Sequence, residues 1–367
     1  MVQRVDRLAS TPPAFEIEAA RQILRTGFGV EAPLTPLAGE RDQNFRADTR
    51  DGPRFLLKIS NPADGRDVLE MQAAALRHIG QVDPDLPVMR ALPAATGEPW
   101  VEITGPEGRT FPVRLFTFLP GRVTATAALT TPAIRSFGQV TARLGRALRG
   151  FIHPAADYEI LWDLTHALKL RPLLTHLSGE ARRAQVARVL DRFETRVAPA
   201  LPGLRAQVIH ADMSLDNVLF DGDSRISGIV DFGDMTHAPL VCDLAVAIVQ
   251  PAQERSASIE LVTEVFVPGI NAVIGHPTQH RMADIGRAAV LDDVADGIAT
   301  AGIADQRHAR RTGPLLQRLD RLGKLAALIL DRGAVRLRHR VVIARQGIGE
   351  VDGEHPIARH AVRLHPP

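Results

Sequence analysis

The sequence predicts an α+β protein of two lobes, a small antiparallel-sheet N-terminal lobe and a larger helical C-terminal lobe. Three observations carry that expectation. At roughly 150 residues per domain, 367 residues suggest two domains or one domain with two lobes. From Pro33 to about Leu119 the pattern is extended and punctuated by turns, and past Leu119-Pro120-Gly121 the texture becomes helical. The expected division is therefore 1–118, 119–331 and a basic, weakly periodic stretch over 332–367.

In the N-terminal part, Phe55 to Ile59 follows an Asp51-Gly52 turn and Phe111 to Leu119 follows the turn from Gly105 to Gly108, which reads as antiparallel strands. One helix interrupts them, starting near Asp64 or Asp67 as N-cap. Its apolar face carries Val68, Met71, Ala75, Leu76 and Ile79 at spacings of three and four. Gln72 falls on that face, whereas Glu70 points elsewhere, because side chains two apart on a helix do not share a face. In the C-terminal part, Thr131 followed by Pro132 marks a helix start, and Ala181 to Ala198 is a long amphipathic stretch. Val218 to Phe220 and Ile226 to Val230, joined by Asp221-Gly222-Asp223, form a hairpin among helices. Helical patterns resume over 254–330.

Hydrophobic residues at 45% and charged residues at 23% exclude wholesale disorder and a collagen-like fibre. A formal net charge of +2 makes no field that would select nucleic acid as a partner. The Arg-rich patches at Arg307, Arg310, Arg311, Arg336, Arg338 and Arg340 lack interleaved aromatics and read as solvated faces. No apolar block follows Met1 to Arg4, and the run from Leu244 to Val249 is far too short to span a bilayer, so a cytoplasmic protein without membrane contact is expected. The single cysteine, Cys242, excludes an internal disulfide and a cysteine zinc cage, and its apolar neighbours predict a buried thiol. The histidines make no metal cage at a recognised spacing.

The chemistry concentrates in His210-Ala211-Asp212-Met213-Ser214-Leu215-Asp216-Asn217, the hairpin, and Asp231-Phe232-Gly233-Asp234. Moving a phosphoryl group from a nucleotide to an alcohol needs a carboxylate to take the hydroxyl proton and oxygen ligands for the magnesium that screens the phosphates. Asp212, Asn217 and Asp231 supply these types: one loop presents base and ligand, and the hairpin returns the chain to a second ligand. Only Lys58, Lys169 and Lys324 are lysines, leaving 41 of the 44 basic residues as Arg, so a Lys inside a predicted strand suggests that a compact ammonium is needed there.

These residues resemble the catalytic and metal loops of the aminoglycoside phosphotransferase and choline kinase family, relatives of the protein kinases, over residues 30 to 250. The stretches Gly39-Glu40-Arg41-Asp42-Gln43-Asn44-Phe45 and Ile226 to Met235 resemble its hydroxylysine kinase branch. The resemblance implies a kinase-like fold with Mg2+ and ATP or GTP between the lobes, Asp212 as base, Asn217 and Asp231 as magnesium ligands, and Lys58 on the phosphates. It further implies that Asp243 braces the catalytic loop and that the base of the nucleotide meets linker backbone at Thr117 to Leu119. The acceptor would be the hydroxyl of a small amine-bearing alcohol such as 5-hydroxylysine. In bacteria similar domains are often joined to a pyridoxal-phosphate enzyme, which here would be a separate partner. The alternatives are an aminoglycoside phosphotransferase and a degenerate nucleotide-binding regulatory module.

Two departures from the family pattern stand out. Gln72 occupies the inward helix position usual for a glutamate and is expected to hydrogen-bond Lys58 without charge. No G-x-G-x-x-G loop is present, so Gly39 and the backbone from Ala38 to Asn44, aided by Arg41, would cradle the phosphates. His210 reads as a structural histidine. Asp234 reads either as a local hydrogen-bonding group or as the acidic side of the acceptor pocket. Trp162 and Asp163 read either as a site that stacks on and pairs with an ammonium, or as a core Trp and a helix-surface Asp.

Overall fold

The structure, a computed structural model, describes residues 11–39, 41–50, 52–105, 108–123, 129–158, 160, 163–222 and 224–254. The helical patterns expected over 255–330, the basic stretch 332–367 and Trp162 lie outside the described residues.

The N-terminal lobe opens with helix α1 (Ile17–Phe28), which precedes the first element legible in the sequence. Six strands follow: β1 (Leu34–Leu37), β2 (Gln43–Asp48), β3 (Arg54–Ile59), β4 (Ala91–Leu92), β5 (Val101–Thr104) and β6 (Thr110–Thr117). Helix α2 (Arg66–Val82) interrupts them between β3 and β4. All the pairings are antiparallel, in the order β1-β2-β3-β6-β4, with β5 on the same edge of β6 as β4.

Register decides what each face of this sheet can do. Phe45 pairs with Leu57 and Leu57 with Leu115, so these apolar residues share one face, where they pack with Ala20 and Leu24 of α1. The alternation of a pleated strand then puts Asn44, Lys58 and Arg114 in a row on the opposite face, toward α2. The apolar stripe of α2 (Val68, Met71, Ala75, Leu76 and Ile79) belongs to the larger core shared with the C-terminal lobe.

Two helix starts differ from the sequence expectation. A turn closes from Asp64 N–H to Asn61 O at 3.0 Å, which places Gly65 at the N-cap of α2 with Asp64 and Asp67 on either side. Helix α3 (Thr131–Ala147) is capped by Thr130, whose Oγ1 accepts from Ala133 N–H at 3.3 Å, one residue before the expected cap.

The C-terminal lobe continues through a 3-10 segment (Leu164–His176), helix α4 (Glu180–Arg192) and a π turn (Phe193–Val197). Strand β7 (Ala206–Ile209) pairs with β10 (Thr236–Pro239), and β8 (Val218–Asp221) pairs with β9 (Arg225–Ile229) as the expected hairpin. Helix α5 (Val241–Glu254) closes the described chain. Among the described residues no helix is long and apolar enough to cross a membrane.

These two small ladders position the site. The first brings His210 and Met235 side by side at its end, and the second brings Asn217 and Val230 together, with Val230 N–H on Asn217 O at 3.0 Å. The hairpin is tied to the connection between lobes: Arg122 and Phe220 exchange backbone bonds of 3.2 and 2.9 Å, and Ser227 Oγ donates to Pro120 O at 2.8 Å. Gly121 makes this approach possible. Its φ is +114°, and a Cβ there would stand 2.9 Å from Phe220 O and 2.2 Å from Ser227 Oγ.

Candidate active site

Asp212 and Asn217 share the loop between β7 and β8. Asn217 Nδ2 donates to Asp212 Oδ2 at 2.8 Å and to Asp212 O at 2.9 Å, which occupies the amide nitrogen and leaves Oδ1 as the atom that could serve a metal. No hydrogen bond among the described residues engages that oxygen. Asp243, buried in the first turn of α5, accepts from His210 N–H at 3.0 Å and Ala211 N–H at 2.7 Å, the bracing that the family resemblance implies. Burial pushes the Asp243 carboxyl up, and the two backbone N–H bonds pull against that.

His210 is structural, as expected. Its Nδ1 accepts from Asp212 N–H at 3.3 Å, so the ring proton sits on Nε2 and is donated to Val230 O at 3.0 Å; the ring lies 4.7 Å from that of Phe232. A ring tied at both nitrogens fixes the two halves of the site to each other.

Asp231 begins the second half. Ala211 and Asp231 are the non-glycine residues at positive φ among those described, at 64° and 58°, each next to or at a carboxylate of the site. Asp231 Oδ1 caps the 3-10 turn Phe232–Asp234 by accepting from Gly233 N–H at 3.3 Å. Its side chain remains half exposed, at 51%, and Lys58 holds the carboxyl below its ordinary range against the effect of burial.

Lys58 Nζ lies 3.9 Å from Asp231 Oδ1 and 2.9 Å from Asp42 Oδ2. Burial works against its charge, but Asp42 and Asp231 together raise its pKa. Gln72, however, does not meet Lys58. Its Oε1 accepts from Arg114 Nη1 at 2.7 Å and its Nε2 donates to Gly233 O at 3.3 Å. Arg114, opposite Lys58 on β6, also donates to Ser60 Oγ at 3.1 Å, and it is this guanidinium that meets the helix. The expected Gln72–Lys58 bond is thus replaced by a Gln72–Arg114 bond.

The remaining expected residues fall as follows. Gly39 sits in the β1–β2 turn, where a Cβ would be 2.3 Å from Asp42 O, so no other residue fits that bend. Arg41 Nη2 pairs with Asp234 Oδ1 at 3.0 Å, linking this turn to the Asp231 loop. Asp234 is buried against that guanidinium rather than lining an open acidic wall. Thr117 N–H and Oγ1 are both engaged by the Arg90 backbone at 2.9 Å, so its N–H is not available to a nucleotide base; the N–H of Leu119 has no such bond among the described residues. Asp163 is a buried cap, accepting from Thr165 N–H at 2.9 Å, with His166 Nδ1 3.6 Å from its other oxygen. Glu70 points away from Lys58, as expected, and meets His153. Cys242 is buried, its thiol pushed up by burial and by Asp163 and Asp243.

Three residues of the site are given no role by any motif in the sequence: Asp42, Arg114 and Tyr158, whose hydroxyl donates to Gly233 O at 3.4 Å. Alternation held the missing signal: Asp42 and Asn44 share a face, as do Lys58 and Ser60 on the paired strand.

The donor set suits magnesium. Asp231 and Asn217 offer hard oxygens, and a magnesium ion that arrives with phosphates keeps water and phosphate ligands rather than a protein cage.

A small and a larger lobe joined by a pinned linker, with carboxylates close to a largely buried lysine, are the architecture of a kinase of small molecules. The fold is shared with a microcompartment-associated aminopropanol kinase (TM-score 0.63, 19% identity, 86% of this chain and 95% of that one). It is also shared with an amicoumacin kinase solved with AMP-PNP and Ca2+ (TM-score 0.60, 16% identity, 87% and 94%). The profile of the phosphotransferase enzyme family matches residues 33–272, and the chain belongs to that family. It is 28% identical over 302 residues to hydroxylysine kinase of Mus musculus, covering 75% of this chain and 79% of that protein. The protein is a phosphotransferase with an alcohol group as acceptor.

Proposed function

We propose that this enzyme transfers the terminal phosphoryl of magnesium ATP or GTP to the hydroxyl of an amino alcohol or hydroxy amino acid, 5-hydroxylysine being the first candidate. The observation that carries the reading is the convergence of Asp212, Asn217 and Asp231, with Lys58 Nζ 3.9 Å from Asp231. The likeness to hydroxylysine kinase over three quarters of the chain supports the acceptor class.

In this reading Asp212 accepts the proton of the acceptor hydroxyl as its oxygen bonds to the terminal phosphorus, and the bond from that phosphorus to the bridging oxygen breaks to release the nucleoside diphosphate. Asn217 and Asp231 would hold magnesium, which when bound screens charge on the phosphates. Lys58 neutralises phosphate oxygens, the turn around Gly39 covers them, and the N–H of Leu119 is left to meet the base.

The test is nucleoside diphosphate release with Mg-ATP and Mg-GTP over hydroxylysine, ethanolamine, choline, homoserine and aminoglycosides. Selective turnover of hydroxylysine or a similar amino alcohol supports the proposal. Turnover of aminoglycosides alone, or nucleotide binding without transfer to any acceptor, overturns it. Asp212→Asn should lower kcat about 10²- to 10⁴-fold while leaving the Kd for Mg-nucleotide within about twofold; an unchanged kcat removes Asp212 from the chemistry.

A further inference from the structure

Two cations lie side by side on the face of the sheet that looks toward α2, in a row completed by a neutral amide. Lys58 on β3 stands directly opposite Arg114 on β6, and Asn44 stands opposite Lys58 on β2. Like charges directly opposed across strands repel, so this face needs a negative partner close by. The inward position of α2 supplies only the neutral Gln72, and Arg114 already holds its oxygen at 2.7 Å. Asp42, two residues before Asn44 and on the same face, is the diagonal neighbour of Lys58 and reaches Nζ at 2.9 Å.

Asp42 is itself held in place. Its Oδ1 accepts from Asn61 N–H at 2.9 Å, while Asn61 Nδ2 donates back to Arg41 O at 3.2 Å. The carboxylate therefore has one oxygen on a fixed backbone N–H and the other on the lysine. Both side chains are largely buried, at 11% and 14% exposure, where a charge pair is screened far less than at the surface. The ammonium held this way points on toward Asp231 at 3.9 Å.

We propose that Asp42, in the turn between β1 and β2, is the positioning residue of Lys58 and takes the part that a helix carboxylate would otherwise play, while Gln72 and Arg114 position the backbone of the Asp231–Asp234 loop through Gly233 O. This rests on the reading of Lys58 as a phosphate contact. It has a mechanical consequence: the turn that would cover the phosphates also orients the cation that meets them, so turn closure and lysine placement are one event. In a helix-carboxylate arrangement they would be separable.

The experiment is a double-mutant cycle on Mg-nucleotide Kd and on steady-state constants, using Asp42→Asn, Lys58→Met, Gln72→Ala and their combinations. Asp42→Asn is expected to weaken Mg-nucleotide binding about 10- to 100-fold, with the KM of the amino alcohol little changed. In the Lys58→Met background the same change should have less than about a twofold effect, whereas Gln72→Ala and Lys58→Met should multiply independently. Nucleotide affinity unchanged by Asp42→Asn, or an equal loss in both backgrounds, overturns the inference. Should Asp42→Asn fail to fold because it strands a buried ammonium, the chain carrying both Asp42→Asn and Lys58→Met decides, since the charge is gone with its partner. It should bind nucleotide as Lys58→Met does, and a much weaker Kd counts against the proposal. Native-like nucleotide affinity in Lys58→Met identifies the phosphate reading itself as the failure, a pattern distinct from a weakened Lys58→Met with an indifferent Asp42→Asn.

Discussion

Replacing Asp243 with Asn tests whether a buried carboxylate sets the shape of the loop that carries Asp212. The side chain is 2% exposed and accepts two backbone N–H bonds, 3.0 Å from His210 and 2.7 Å from Ala211. An amide of the same shape keeps one oxygen for one of those donors and turns an NH2 toward the other. One buried N–H is left without an acceptor and the surviving bond loses its charge assistance, a total loss of about 2–4 kcal/mol. With a urea dependence near 3 kcal/mol per molar, expected for a chain of this size, the unfolding midpoint should fall by about 1 M. The effect on catalysis follows from Ala211, which is one of the two donors, sits at φ 64° and directly precedes Asp212. A non-glycine residue in that region costs on the order of 1–3 kcal/mol and stays there only while its surroundings hold it. Release of Ala211 shifts the neighbouring carboxylate, and a displacement of about 1 Å at a reacting group costs about 100-fold in rate. Urea unfolding followed by circular dichroism, alongside nucleoside diphosphate release at saturating substrates, reads both effects. A native midpoint together with a kcat within about twofold of native would refute the bracing argument.

Acid sensitivity gives a second check. Lys58 and Arg114 hold the Asp42 carboxyl below its ordinary value of 3.8, to about 2, against the opposing effect of burial, and Lys58 similarly lowers Asp231. A carboxylate whose pKa is lower folded than unfolded contributes stability above its unfolded pKa and loses it as pH falls through the folded one, so stability should drop from about pH 4 toward pH 2. Asp42→Asn should make that limb shallower in urea unfolding measured at successive pH values; an identical slope contradicts the ion pair. A third test concerns the linker: Gly121→Ala adds a Cβ 2.9 Å from Phe220 O at a φ of +114°, and should destabilise the protein by about 2–4 kcal/mol. A native melting temperature in that variant would mean that the linker and hairpin are not pinned together as described.

The loops of the proposed site were legible because each is contiguous in the chain. Asp212 and Asn217 are five residues apart in one loop, and the turn residues at 221–223 announce the hairpin that returns Asp231 beside them. Local order of this kind is written in spacing and turn chemistry, as were the apolar stripe of α2 and the buried state of Cys242. Helix ends were legible only to within a residue, because Thr130 and Thr131 are equally good caps until the bond to Ala133 N–H chooses between them.

By itself, then, the sequence determined the fold class, the family and the segments that make up the proposed site. Only the tertiary structure decided how distant side chains pair, and the reason is geometric. Gln72 lies on the inward face of its helix by periodicity alone, but which cation it meets depends on β6 bringing Arg114 within hydrogen-bond reach. Thr117 is a linker residue by position, yet its N–H belongs to Arg90 because that strand edge is already paired. Asp42 becomes the partner of Lys58 through a strand register that sets 44 opposite 58, a relation between segments that local spacing does not encode.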